Sequence, residues 1–149
     1  MEEAERQILE TFDRLGLSRL AAADFGSPDR PAPPKATLDQ LVESGSLREV
    51  GDRYERTEWG RLEIAGPHEV TLLGRVGCHL CEGVLRQIEP LVARFGAKLR
   101  TVDVDTDRIL RERYGNEIPV VFLGNTEWAR HRIDPDGFRA ELKRLQGSP

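Results

Sequence analysis

The sequence has no long apolar run, no surplus of basic residues and only two cysteines. No apolar run approaches the roughly 20 residues that a membrane-spanning helix needs, so we expect no membrane span. The net charge of −4 does not favour a nucleic-acid binder. The cysteines lie three positions apart, and a disulfide that closes so short a loop stabilises little, so a purely structural disulfide is not expected.

The charge is also unevenly distributed. Residues 1–66 contain 9 Lys/Arg and 14 Asp/Glu, whereas residues 67–149 contain 13 and 12, so the surplus of acid lies in the first part. The N-terminus, MEEAERQILE, is acidic and amphipathic and lacks the basic start and apolar core of a secretory signal. We therefore expect a cytoplasmic protein, where cysteines are usually kept reduced.

The first part of the chain is predicted to be a small, mainly helical segment. Its apolar spacing and its glycines and prolines predict helices at 3–15, 17–23 and 36–43, a hairpin at 47–57, and a last short helix or strand at 58–64. A proline-rich loop, FGSPDRPAPPK, separates the second and third helices. Gly66-Pro67 marks the expected boundary between domains 1–66 and 67–149.

The second part alternates strands and helices. The pattern predicts strands at 69–76, 98–103, 120–123 and 127–132 and helices at 80–95, 107–114 and 135–145. The first strand–helix–strand unit implies a parallel pair, and the turn at Gly124-Asn125 is too short for anything but an antiparallel hairpin. The sequence therefore predicts an α/β fold with a mixed four-stranded sheet and helices on both faces.

The stretch VTLLGRVGCHLC places both cysteines where the first strand gives way to a helix. Val76 is expected to close the buried strand, Gly77 to break it, and Leu80 to begin the buried face of the helix. The N-terminus of a helix favours an anion, and a thiol there commonly has a lowered pKa. Redox chemistry is expected at Cys78 and Cys81; the alternatives are half of a zinc site, completed by some of His68, His79 and His131, or two structural cysteines.

Residues 38–61, LDQLVESGSLREVGDRYERTEWGR, resemble a winged helix-turn-helix. The helix that would enter a DNA groove offers Lys35, Gln40 and several acids, which is poor chemistry for binding phosphate. We therefore expect a degenerate winged helix used for packing or for dimerisation, with DNA binding as the less favoured alternative.

Residues 69–145 resemble a glutaredoxin of the thioredoxin fold, and more closely a small bacterial glutaredoxin-like family. The matching stretches are GCHLC, VDVDTD and RYGNEIPVVFLGN. The resemblance implies a thiol–disulfide oxidoreductase. Cys78, nearer to the helix N-terminus and to solvent, would be the nucleophile and Cys81, one turn later and partly buried, the resolving thiol.

Four further residues are expected at the site. The resemblance implies that Pro119 is cis and faces the cysteines, and that the backbone of Ile118 binds the substrate as a short added strand. It also implies that Arg75 contacts a glutathione carboxylate or supports the thiolate; the alternative is a solvated arginine. His79 stands next to the nucleophile and would stabilise its thiolate, unless it is merely exposed.

The sequence leaves the substrate and the function partly open. It lacks the Gly-Gly glutathione motif before the last helix, where ARHRIDPDGF stands with Asp134 and Asp136. No bound cofactor is expected, glutathione is one candidate electron donor, and the partner is a disulfide-containing protein or a small thiol. The alternatives to the enzyme are a regulator whose dithiol controls a partner or DNA through the N-terminal segment, and an inert interaction module.

Overall fold

The computed structural model describes residues 1–147 and divides into two compact units, Met1–Ile64 and a second that begins at Ala65. Within the described residues, no helix combines the length and apolar character needed to cross a lipid bilayer.

The first unit is a small helical assembly around a three-stranded antiparallel sheet. Its elements are α1 (Glu3–Leu15), β1 (Leu20–Ala21), a 3-10 turn (Ala22–Phe25), α2 (Lys35–Glu43), β2 (Leu47–Val50), β3 (Arg53–Arg56) and α3 (Glu58–Glu63). The strands lie in the order β1-β3-β2. Leucines from α1, β1, α2 and β2 are almost fully buried in its core, and the Phe25 ring packs edge-on against Phe12 and Tyr54.

The structure corrects one prediction for this unit and decides between a helix and a strand for another. The expected helix at 17–23 is wrong, because Leu20 pairs with Tyr54 of β3 and is fully buried there as a strand residue. Residues 58–63 are helical, and the Thr57 hydroxyl caps the helix by accepting the Gly60 N–H at 3.0 Å. The interpretation of this unit as a winged helix stays a prediction.

The second unit is the predicted mixed α/β domain. Its elements are β4 (Glu69–Gly74), α4 (His79–Arg94), β5 (Lys98–Asp103), a 3-10 turn (Val104–Thr106), α5 (Arg108–Tyr114), β6 (Val120–Leu123), β7 (Thr126–Arg130) and α6 (Pro135–Gln146). The strand order is β5-β4-β6-β7, with β4 parallel to β5 and the other two pairs antiparallel. The predicted thioredoxin-like sheet is confirmed.

Alternate residues of β4 and β6 face opposite sides of this sheet. One side forms the main core with α4 and α6, and its buried residues are Val70, Leu72, Val84, Ile88, Val92, Val121, Leu123, Ile133, Phe138 and Leu142. On the other side, the Tyr114 ring at the end of α5 packs edge-on against Phe122 at 5.5 Å between centroids. Helices therefore contact both faces of the sheet, as the pattern of elements predicted.

Two apolar residues next to the cysteines are exposed, contrary to expectation. Val76 is 87% exposed because β4 ends at Gly74 and the chain then turns, with the Cys78 N–H bonded to the Arg75 carbonyl at 3.1 Å. Leu80 is 66% exposed because Cys81 takes the buried position in the first turn of α4. The Cys81 sulfur lies close to Gly74, where an added Cβ would be a tight 3.2 Å from it.

Candidate functional site

The two cysteines form a disulfide at the start of α4. Gly77, at φ +83°, adopts a backbone conformation that favours glycine and leads the chain into the helix. Cys78 is the N-cap residue, and its Sγ accepts the Cys81 N–H at 3.2 Å. The two Cα atoms are 5.3 Å apart, within the usual range for a disulfide.

The two sulfur-bearing residues differ in their access to solvent. Cys78 is partly exposed, whereas Cys81 is 6% exposed and lies against Gly74 of β4. A partner can therefore approach Cys78 but not Cys81, which is the asymmetry that thiol–disulfide exchange through one attacking and one resolving cysteine needs.

Pro119 lies at the same end of the sheet as the cysteines. The Ile118–Pro119 peptide is cis, which confirms that prediction. Leu73 pairs with Val120 in the antiparallel register, so the next residues along, Gly74 and Pro119, lie beside each other. Pro119 and Cys81 are thus both neighbours of Gly74, and a direct role of Pro119 at the cysteines stays a prediction.

Arg75 is held by two protein groups. Its guanidinium donates to both carboxylate oxygens of Asp105, at 2.8 and 3.1 Å, and to the Gly115 carbonyl at 3.3 Å. The hydrogen bond from Arg75 lowers the pKa of the Asp105 carboxyl below its ordinary value. Arg75 thus connects the loop before Cys78 to the chain segment that leads into Ile118. Its contact with a substrate stays a prediction.

The imidazole of His79 is almost fully exposed. Its side chain is 93% exposed, and Nδ1 lies 3.3 Å from the Glu82 carboxylate. Within residues 1–147 the ring forms no other hydrogen bond or ion pair, and its support for the thiolate stays a prediction.

His131 belongs to this region, and the sequence named it only as a possible ligand of the alternative zinc site. Its backbone N–H donates to the Pro119 carbonyl at 2.7 Å, and its ring Nε2 lies 2.8 Å from the Glu117 carboxylate. It is the one non-glycine residue with positive φ, at +68°, within the described chain. Its position after a strand gave no signal in the sequence, because the contact with Pro119 depends on the pairing of β6 with β7.

A depression of about 420 Å³ lies along α4 and begins at His79, the residue after Cys78. Its lining residues come from the first turns of α4 and from the segment between β7 and α6: His79, Leu80, Gly83, Val84, Arg86, Gln87, His131 and Arg132. In the part of the chain that the structure describes, no three His, Cys, Asp or Glu side chains come together as ligands for a metal ion.

Comparison with known families matches residues 69–143, half of the chain, to the description "Glutaredoxin-like domain (DUF836)". The chain belongs to this glutaredoxin-like family. The match begins at β4, includes both cysteines and Pro119, and ends within α6. It does not include the first unit.

Relatives with the glutaredoxin-like part occur in mycobacteria. "Uncharacterized protein Rv0508" of Mycobacterium tuberculosis is 34% identical over 87 residues, covering 54% of this chain and 90% of the relative. "Uncharacterized protein Mb0520" of Mycobacterium bovis matches with the same values.

Solved structures are also similar to about half of the chain. Protein Ne2328 from Nitrosomonas europaea is 28% identical with a TM-score of 0.45, covering 50% of this chain and 91% of that one. Protein XcR50 from X. campestris is 31% identical with a TM-score of 0.39, covering 50% and 96%. Thioredoxin 1 from Thermosipho africanus is 15% identical with a TM-score of 0.41, covering 51% and 91%.

Proposed function

We propose that this protein is a thiol–disulfide oxidoreductase that reduces or exchanges disulfides of another protein or a small thiol through Cys78 and Cys81. One observation carries the proposal: an accessible Cys78 is bonded to a buried Cys81 at the N-terminus of a helix, in a chain of the glutaredoxin-like family. Both cysteines of the chain are used in this pair.

The reaction begins from the reduced dithiol. The Cys78 thiolate attacks one sulfur of a substrate disulfide, which forms a mixed disulfide and releases the other substrate sulfur as a thiolate that takes a proton from water. The Cys81 thiol loses its proton and attacks the Cys78 sulfur, which frees the second substrate thiol. Two electrons and two protons pass to the substrate, and the protein is left with the Cys78–Cys81 disulfide. A thiol reductant then returns the protein to its dithiol form.

The backbone around Cys78 supports its role as the attacking group. The Cys81 N–H donates to the Cys78 sulfur at 3.2 Å. It belongs to the first helical turn, whose N–H groups lack a carbonyl partner within the helix, and it stabilises a thiolate at this position. We propose that the partly exposed Ile118 binds the substrate backbone beside the cysteines, and that Pro119 shapes this surface.

We propose that Arg75 is a positioning residue. Its three hydrogen bonds to Asp105 and Gly115 engage the guanidinium within the protein, so it holds the loop before Cys78 against the segment before Ile118. In this proposal His79 lies at the edge of the substrate surface, where its exposed ring meets the partner.

We propose that a thiol reductant supplies the electrons. Glutathione is a candidate, although the Gly-Gly motif that would bring its backbone close is absent, and Asp134 and Asp136 stand in its place. A dithiol that works as a reductant fits a reducing compartment, and we propose the cytoplasm. The regulatory alternative depended on a winged-helix first unit, which the comparisons do not support, and we do not propose it.

The experiment that tests this function compares three full-length proteins. Wild type, Cys78→Ser and Cys81→Ser are reduced, freed of reductant and mixed with a peptide disulfide, and the products are followed by mass spectrometry. We expect Cys78→Ser to be inactive and Cys81→Ser to accumulate a mixed disulfide with one half of the substrate. A Cys78→Ser protein that reduced the peptide as fast as wild type would make the proposed function wrong.

A further inference from the structure

The depression beside Cys78 is lined by positively charged and neutral residues. Of its lining side chains, Arg86 and Arg132 are cations, His79 and His131 can become cations, and none is Asp or Glu. The acids nearest to the histidines are Glu82, 3.3 Å from His79, and Glu117, 2.8 Å from His131. The two arginines are therefore the permanent charges that an incoming group would meet.

Arg86 and Arg132 differ from the other arginines of the second unit near the site. Arg75 and Arg130 each form an ion pair with a carboxylate, at 2.8 and 2.5 Å. Arg86 and Arg132 are exposed, and within residues 1–147 neither side chain forms an ion pair or a hydrogen bond. Their guanidiniums remain available to an anion from outside.

The position of Arg86 defines how far from the reacting sulfur such an anion must lie. Arg86 follows Cys78 by eight residues on α4, which is about 12 Å along the helix axis. An extended peptide advances about 3.3 Å per residue, so about three or four residues span this distance. Charges three or four residues from the reacting cysteine therefore come level with the backbone of Arg86. The opposite wall adjoins the substrate surface, because His131 is bonded to the Pro119 carbonyl.

We propose that this depression binds an acidic segment of the disulfide-bearing partner protein, about three or four residues from the cysteine that reacts with Cys78. Arg86 and Arg132 are the specificity residues, which attract the segment by charge and hold it along α4. This inference depends on the proposed function and names the substrate class of the same site.

The test uses reduced full-length protein and three peptides that differ only in charge. Each peptide has one cysteine, blocked as a mixed disulfide with 2-mercaptoethanol, and carries Asp, Asn or Lys at the third and fourth positions on both sides. At low salt we expect the Asp peptide to react about tenfold faster than the Lys peptide, and the difference to shrink near 1 M salt, where the Debye length is about 3 Å. Equal rates for the three peptides would overturn the proposal.

Variants identify the residues responsible. We expect Arg86→Glu/Arg132→Glu to slow reaction with the Asp peptide about tenfold. The matched control is Arg139→Glu on α6, an exposed arginine outside the depression, which should react as wild type does. A double variant that keeps the wild-type preference would show the proposal to be wrong. If the double variant does not fold by circular dichroism, Arg86→Gln/Arg132→Gln replaces it, with an expected slowing of about threefold.

Three further measurements separate failure of this inference from failure of the proposed function. The neutral substrate 2-hydroxyethyl disulfide should be reduced equally by wild type and the double variant, and not by Cys78→Ser. Binding of the Asp peptide with its cysteine changed to serine, followed by fluorescence anisotropy on oxidised protein, tests the depression without any exchange reaction; no binding would overturn the inference. Glutathione disulfide should react at the same rate with wild type and with the double variant. If the double variant lost as much rate with glutathione disulfide as with the Asp peptide, the depression would be assigned to a small anionic thiol instead.

Discussion

The two units use their charged residues differently. In the first unit, arginines bind neighbouring acids: Arg56 bonds both carboxylate oxygens of Asp13 at 2.8 Å, and Arg19 and Arg48 both pair with Glu55. In the second unit, Arg75 and Arg130 are paired in the same way, whereas Arg86 and Arg132 line a depression that begins one residue after Cys78 and form no ion pair within residues 1–147. The contrast is therefore between arginines held by protein carboxylates and two arginines that we propose for recognition.

The strongest test of this contrast is Cys78→Ala. We expect thiol–disulfide exchange to fall by at least about 10³-fold, because the attacking sulfur is lost. Cys78 is partly exposed, so the reduced variant should keep the stability of reduced wild type within about 0.5 kcal/mol. Rates with 2-hydroxyethyl disulfide and urea unfolding measure the two effects. If Cys78→Ala kept the exchange rate of wild type, the assignment of the chemistry to Cys78 of the second unit would be wrong.

The opposite result is expected for Leu38→Ala in the first unit. Leu38 on α2 is fully buried, so its truncation should lower the free energy of unfolding by about 2–5 kcal/mol. The exchange rate per folded molecule should stay at the wild-type value, since every site residue lies in the second unit. Urea unfolding and a rate corrected for the folded fraction check both. A lower corrected rate would show that the first unit contributes to the chemistry.

Arg75→Ala is expected to have a smaller effect, on activity more than on stability. The side chain is 38% exposed, so we expect less than about 1 kcal/mol of lost stability. Exchange should slow by about three- to tenfold, because the loop before Cys78 and the segment before Ile118 are no longer held together. Arg108→Ala, which removes an exposed i,i+4 ion pair away from the cysteines, is the matched control. Equal rates for the two variants would leave Arg75 without a positioning role.

The smallest expected effect is a dependence on pH through Asp105. Arg75 lowers the pKa of this carboxyl in the folded protein, so the pair adds stability above the unfolded pKa of about 3.9 and loses it as pH falls through the folded value. NMR titration of the carboxyl carbon should show the Asp105 pKa returning toward its ordinary value in Arg75→Ala. The Glu55 carboxyl, whose pKa is lowered by Arg48 and Arg19, should not change. A shift at both acids would indicate a global change instead.

Much of the fold was predictable because it follows from local patterns. The strand at 98–103 and the start of α6 at Pro135 were predicted to the residue, since alternation and helix-start signals act over neighbouring positions. Leu20 was predicted in a helix and lies in a strand, because its pairing with Tyr54 joins residues far apart in sequence. Local spacing carries no information on such a pairing.

The candidate site shows the same division. The sequence by itself determined the cysteine pair at a strand–helix junction and, through the resemblance, the cis proline before β6. Only the tertiary structure decided that Val76 and Leu80 are exposed beside the disulfide and that His131 contacts Pro119. Spacing along a chain defines which residues share a face of a strand or helix. Which residues of that face are covered depends on where the sheet ends and on which elements pack nearby.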